Sequence, residues 1–420
     1  VIALDASAFP SDTLSTHLLW PAGVAEIKRL GALPRVEALG APRMPEALAG
    51  WDGLEIRGRY TPVDGIDYAL CVRRPGLDAA LVATAREAGA EVRERTKVRE
   101  LLWDDDRVAG VRWRDRKGGE GEIRAPLVIG ADGRRSPTAR SVGAEEPILS
   151  QPSGRGCYFA YWRDAHEDGS KWRAVAAQWR HESELVTAFP CDGGLVLVLL
   201  MPPVAAADRF RADLEGAYAE TVASVPPLTD RLEGCERVTK VRHIPETLSY
   251  FRRASGPGWA LAGDAGHFKD PVTAQGIRDA LRFGRLLGEE VADHLHDRAA
   301  FERALGRWER RRNRECGEMY HWTNRLGRAE EMNPIEAELY RHAHGDPRLG
   351  GLFLDVFSRQ ARPKELLTPA LTARLAVRAA RRPGASPMEV TRVAAREARA
   401  ELTGAVERAR LRASGLLRRR

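Results

Sequence analysis

Five short stretches carry residues whose types and spacing can do chemistry. Residues 258–277 read Gly-Trp-Ala-Leu-Ala-Gly-Asp-Ala-Gly-His-Phe-Lys-Asp-Pro-Val-Thr-Ala-Gln-Gly-Ile. This is a short apolar strand ending at Gly263-Asp264, a loop holding Asp270-Pro271, and a helix that opens near Gln275-Gly276. Such a strand end holds the Asp264 carboxylate at the lip of a sheet, where it accepts hydrogen bonds from sugar or polyol hydroxyls. The helix start offers backbone N–H groups with no intrahelical partner and the positive end of the helix dipole. Gly276 has no side chain, so a flat ligand can approach the amides of Gly276 and Ile277 closely. Residues 125–140 repeat the theme, with a buried strand ending in Gly130-Ala131-Asp132-Gly133 and Ser136 and Arg140 following at helical spacing. The plainer alternative there is that Asp132 and Ser136 only cap the turn and helix.

Three further places are candidates for a phosphate or ribose end. Arg74 stands at the mouth of a helix whose Leu77 and Leu81 share one face, and its planar fork suits ribose or phosphate oxygens. Asp5 closes an apolar strand at the start of the chain, a place where an acid meets a ribose in dinucleotide-binding folds and where a turn aspartate is equally at home. The hydroxyl-rich run 9–17 ends in Ser15-Thr16-His17, groups able to contact phosphate; a capped loop with a surface histidine is the alternative.

A hydroxyl-binding acid beside an anion-stabilising helix start suits a flavin, whose reduced ring carries negative charge on one edge. Gly263-Asp264-Ala265, Asp270-Pro271, Gly276-Ile277 and Asp279-Ala280 together resemble the second FAD motif of the flavoprotein monooxygenase superfamily that includes p-hydroxybenzoate hydroxylase. They are also similar to its geranylgeranyl-reductase-like branch. Arg74, Leu77 and Leu81 match the R-x-x-L-x-x-x-L pattern of that superfamily, and Asp132-Gly133 its D-G motif. The resemblance implies an α/β fold. Its parts are a discontinuous Rossmann-like FAD-binding domain of the glutathione-reductase type, a β-sheet substrate domain and C-terminal helices. It implies FAD as cofactor and NAD(P)H as co-substrate, with O₂ forming a flavin C4a-hydroperoxide that oxygenates a small aromatic or polyketide-like molecule. Asp264 would hold the ribitol chain, Pro271 would shape the ring pocket, and the Gly276 and Ile277 amides would stabilise the reduced ring. Gly263 would let the strand turn, while Asp5, His17, Arg74, Asp132 and Gly133 would serve the ribose-phosphate end. No catalytic residue and no metal ligand is implied.

The sequence departs from the family in three places. No G-x-G-x-x-G turn is found from Val1 onward, and the opening strand reads as the second of its fold, with that turn expected ahead of it. Ser15-Thr16-His17 stands where the family often has an arginine. The W-x-W-x-I-P signature of the halogenase branch is missing. Two rival readings stay open: a reductase on the same fold, favoured by Ala188-Phe189-Pro190 ahead of Gly193-Gly194, and a relative that keeps the fold without redox function.

The elements that must position these residues follow from pattern and composition. At 420 residues, 43% hydrophobic and 30% charged, the chain has room for two or three domains. Residues 1–40, 66–150 and 246–300 are assigned to the FAD domain, 41–65 and 151–245 to the substrate sheet, 301–365 to C-terminal helices and 366–420 to a basic helical tail. Strands are expected at 98–103, 108–114, 157–162, 174–179, 185–189 and 195–201, and one helix over 207–222. The sheet aromatics Tyr158, Tyr161, Trp162, Trp172, Trp179 and Phe189 can face a flat substrate, though each one alone is more simply a core residue. Five scattered cysteines without C-x-x-C spacing read as reduced thiols of a cytoplasmic protein. No apolar run is long enough to cross a membrane. The net charge of +7 gathers partly in the Arg/Ala-rich tail. A packed helix, a membrane-surface or partner contact and a solvated tail compete there, and nucleic-acid motifs are absent.

Overall fold

The computed structural model describes residues 1–414 and has the mixed α/β architecture expected. On one side of the molecule, two parallel strand pairs form separately. Ile2–Leu4 pairs with Glu91–Arg93, and Val128–Gly130 pairs with Trp259–Leu261. An antiparallel three-stranded sheet, Thr96–Asp104, Arg107–Asp115 and Glu120–Arg124, packs beside them. Its first turn runs through Asp105 at φ 52°, a left-handed conformation that aspartate tolerates better than most side chains.

The second layer is an eight-stranded sheet. Glu46–Trp51 and Leu54–Arg59 extend the strands Cys157–Arg163, Val175–His181, Glu184–Cys191 and Leu195–Met201, with Glu236–Arg237 and Arg242–Ile244 at the far edge. Both faces are covered, and the two-residue period sorts the side chains. Leu197, Leu199 and Met201 face one core with the C-terminal helices, whereas Val196, Val198 and Leu200 face another with the helix Leu214–Ala223. Burying each of these side chains contributes about 1.5–3 kcal/mol.

The single helix expected over 207–222 is two. Asp213 leaves the helical region at φ −146° and caps the second segment through the Gly216 amide, so Ala207–Ala212 stops where Leu214–Ala223 begins. Beyond the flavin-motif helix Gly276–Val291, the long helix Arg298–Leu326 crosses the molecule, and Pro334–Gly345 and Pro347–Ser358 pack on the strand Leu54–Arg59. The basic tail forms two helices, Pro369–Ala380 and Pro387–Ser414, parted at Arg382-Pro383-Gly384. They pack rather than dangle: Leu375, Val390, Val393 and Leu411 are buried, and Glu397 pairs with Arg325 and Arg328. All five cysteines are free. Among the described residues no helix is long and apolar enough to cross a membrane.

Candidate functional site

The parallel pairing of Val128–Gly130 with Trp259–Leu261 sets two strand ends side by side, Gly130 opposite Leu261. The loops that follow therefore start together: Asp132-Gly133 on one, Gly263-Asp264 on the other. Gly133 and Gly263 both take positive φ, 77° and 56°, as the sharp exits require. Two side chains of the returning segment staple these loops. The Tyr250 hydroxyl donates to the Asp264 carbonyl at 2.5 Å and lies 3.3 Å from that of Arg134. The Arg252 guanidinium donates to the carbonyls of Glu145, Arg134 and Ala265 at 2.9–3.2 Å. Neither was foreseen, since nothing in their local sequence marks them.

Asp264 is half-buried, and no protein donor reaches its carboxylate among the described residues. Burial lifts its pKa to about 6, with Arg134 and Arg74 pulling it back. A carboxylate taken from water without a donor is costly; ribitol hydroxyls would supply donors. The facing helix start is equally open. Gln275 precedes Gly276–Val291 without capping it, because its amide is spent on the Phe357 carbonyl at 3.0 Å and its oxygen accepts from Lys269 at 3.2 Å. A Cβ at Gly276 would meet nothing within 4 Å. A small cavity with about 350 Å³ of empty space, part of it open to solvent, runs past Gly263, Asp264, His267, Lys269 and Gly276. An orphaned acceptor opposite uncapped amides fits a flavin's polyol chain and electron-rich ring edge.

Behind the helix start lies a buried ion pair. Lys269 donates to Asp279 at 2.5 Å. Burial pushes the Asp279 carboxyl up, but Lys269, Arg359 and Arg278 outweigh it and hold the group well below the usual carboxylate range. His267 donates from Nδ1 to the Tyr250 carbonyl at 3.0 Å, leaving Nε2 buried without a partner, and burial keeps the ring neutral with a pKa of about 3. Cys316, which carries no metal spacing in the sequence, comes within 3.7 Å of Asp279 beside His267. With Lys269 and Arg278 already on that carboxylate, the cluster disfavours a cation.

The remaining candidates sit as follows. Arg74 opens the helix Arg74–Glu87, bidentate to Asp78 at 2.8 Å, and its charge reaches both Asp264 and His17. Asp132 is exposed and accepts from the Ser136 hydroxyl and, at 2.9 Å, from the Thr138 amide, so in this structure it caps its own turn. Asp5 accepts from the Ser7 amide at 2.7 Å, a local turn. His17 is 1% exposed, so the surface histidine is corrected: its Nε2 bonds the Tyr161 hydroxyl and its Nδ1 has no partner. Pro271 opens the short turn Pro271–Thr273, capped by Asp270 on the Val272 amide at 2.8 Å. Ile277 packs against the core formed by residues 19–80.

Beyond Val272 of that turn lies a second, apolar cavity with about 770 Å³ of empty space, part of it opening to solvent. The sheet supplies Gln178, Arg180 and Leu185; the helices supply Trp322, Leu339, Phe353 and Phe357.

Residues 21–322 match the family model described as FAD binding domain. The chain belongs to this family. It is 27% identical over 302 residues to digeranylgeranylglycerophospholipid reductase 2 of Methanopyrus kandleri, covering 68% of this chain and 72% of the relative. It is 28% identical over 292 residues to the FAD-dependent monooxygenase OpS4 of Beauveria bassiana, covering 64% and 66%. The fold is similar to that of the myxobacterial chondrochloren halogenase CndH, with a TM-score of 0.69 at 20% identity over 90% of each chain. The chain thus spans roughly two thirds of the length of these curated relatives. The flavin-binding superfamily expected from the motifs holds, and the chain is an FAD-dependent oxidoreductase.

Proposed function

We propose that this protein is an FAD-dependent monooxygenase that uses NAD(P)H and O₂ to oxygenate a small, largely apolar organic molecule. The observation that carries this reading is the placement of the apolar cavity. Its wall includes Val272, one residue from Pro271 and four from the open helix start at Gly276. A molecule in that cavity is held against the loop that borders the flavin-ring site. When bound, the flavin supplies the redox chemistry.

The protein's own part is to hold and to shield. Asp264 takes the ribitol hydroxyls, and Gly276 and Ile277 turn their amides to the electron-rich ring edge, an electrostatic role like that of an oxyanion hole. Arg74, with Gly133 of the adjoining loop, serves the ribose-phosphate end. Asp5, His17 and Asp132 shape the turns around that end. The apolar lining from Trp322 to Phe357 keeps water from the reacting molecule. The test is stoichiometric: FAD-loaded protein with NADPH and ¹⁸O₂ yields product carrying one ¹⁸O atom, and an unlabelled product ends the reading.

A second reading, reduction of an alkene, is favoured by the identity to the Methanopyrus reductase. Conversion of a polyprenyl lipid under strictly anaerobic conditions with dithionite-reduced protein would select it over the first.

A further inference from the structure

The apolar cavity has one wall that is out of keeping with the rest. Arg155 lines it and is 1% exposed. Its Nε donates to the Leu326 carbonyl at 3.1 Å, and its Nη1 to those of Ser183 and Met201 at 2.6 and 2.8 Å. These carbonyl dipoles fix the fork in place, but they bring no counter-charge. Among the described residues no carboxylate lies within ion-pair distance of Arg155.

The other two cations on the lining are matched. Arg180 meets Glu336 at 3.3 Å, and Arg325 meets Glu397 at 3.0 Å. Burial, with help from Arg180, lowers the Arg155 guanidinium to about 10, while Asp270, Glu184 and Glu336 oppose the shift from a distance. It is therefore a cation at neutral pH. A buried charge without an opposite charge is costly, and a chain that needed only to fill this wall would do so with an apolar side chain.

We propose that the cavity binds an apolar or aromatic carboxylic acid, its carboxylate on the Arg155 guanidinium and its body against Trp322, Leu339, Phe353 and Phe357. This rests on the reading that the cavity takes the substrate of the flavin reaction. It narrows that substrate to organic acids: a neutral hydrocarbon chain would leave Arg155 unmatched, and an amine would meet a like charge.

The ligand can be varied instead of the protein, which avoids disturbing the three carbonyl contacts. Flavin-free full-length protein is titrated at pH 7 with naphthalene-2-carboxylate and with naphthalene-2-carboxamide, its neutral isostere. Binding is read by calorimetry and by quenching of Trp322, with Trp322→Phe as the control for the origin of the optical signal. The acid is expected to bind at least tenfold more tightly than the amide, and Arg155→Gln to bring the two to within about twofold. Equal affinities in the unaltered protein, or binding of neither compound, overturn the proposal. A separate FAD titration keeps the two claims apart. Acid preference without FAD binding sinks the flavin reading alone, and FAD binding without acid preference sinks this one alone.

Discussion

The two cavities of this molecule are built on opposite terms. The one at Asp264 and Gly276 is made mostly of one stretch of chain, 263–283, closed by Trp308 and Arg312 of the long helix, and most of its polar groups are strung a few residues apart. The one at Arg155 is made of sheet strands, the turn at Val272 and several C-terminal helices, residues from 155 to 375. In the first, an unmatched anion awaits donors; in the second, an unmatched cation awaits an anion. A contiguous site can be preserved by keeping one motif, whereas a composite one drifts with every change in helix packing. On the proposed reading, the cofactor end is the part that one motif can carry unchanged, and the substrate end is the part free to vary with the reaction the fold hosts.

Several substitutions would break or sharpen this contrast. The largest effect is expected from Asp279→Ala, which strands Lys269 without its partner and should cost about 3–5 kcal/mol of stability by denaturant unfolding. Asp264→Ala comes next. It removes the acceptor proposed for the ribitol hydroxyls and should weaken FAD by about 1.5–3 kcal/mol in a fluorescence titration. Gly276→Val should weaken FAD by at least as much, yet leave stability within about 0.5 kcal/mol, because its Cβ enters open space. If both variants keep wild-type FAD affinity, the contiguous site is misassigned.

Asp264→Asn sharpens the contrast through pH. The folded carboxyl has a pKa of about 6 against an ordinary 3.8, so its charged form burdens the fold above pH 6 and that burden disappears as pH falls toward 4. The ligand-free variant should therefore gain about 1–3 kcal/mol at pH 7.5 and nothing at pH 4. His17 and His267 act with the opposite sign. Both are held near 3 by burial against an ordinary 6.5, so the unfolded chain binds protons first and stability falls as pH drops below about 6.5. Replacing His267 with Gln should flatten that fall in an acid titration followed by circular dichroism. The smallest effect belongs to Met332→Trp, which narrows the composite cavity and should leave FAD affinity within about 0.3 kcal/mol.

These differences track what was legible in the sequence. Strand ends, glycines and the helix start at Gln275-Gly276 obey local rules, and the structure has them within a residue or two. The sheet strands are legible because short runs rich in apolar and β-branched residues, bounded by turn residues, mark strands that are buried on both faces. The break at Asp213 did not, since an aspartate inside an Ala-rich helical pattern looks the same whether it faces solvent or caps. Asp132 and Asp264 share a motif grammar, and only three-dimensional partners show that the first is spent on Ser136 and Thr138 while the second is open. Tyr250, Arg252 and Arg155 were invisible for a stronger reason: Tyr250 and Arg252 bond loops up to about 120 residues away, and Arg155 bonds a helix end 171 residues on.

The staple at Tyr250 and Arg252 also bears on the order in which a ribosome can finish this protein. The loop at Arg134 emerges early, yet its carbonyl is held only once the chain has traced the whole substrate sheet and come back to residue 252. On the proposed site, whose Asp264 and Gly276 also follow residue 252, cofactor capture is a late event of synthesis and flavin loading reports a completed sheet. Stalled nascent chains ending well before residue 252 should take up no FAD, and those released after residue 326 should.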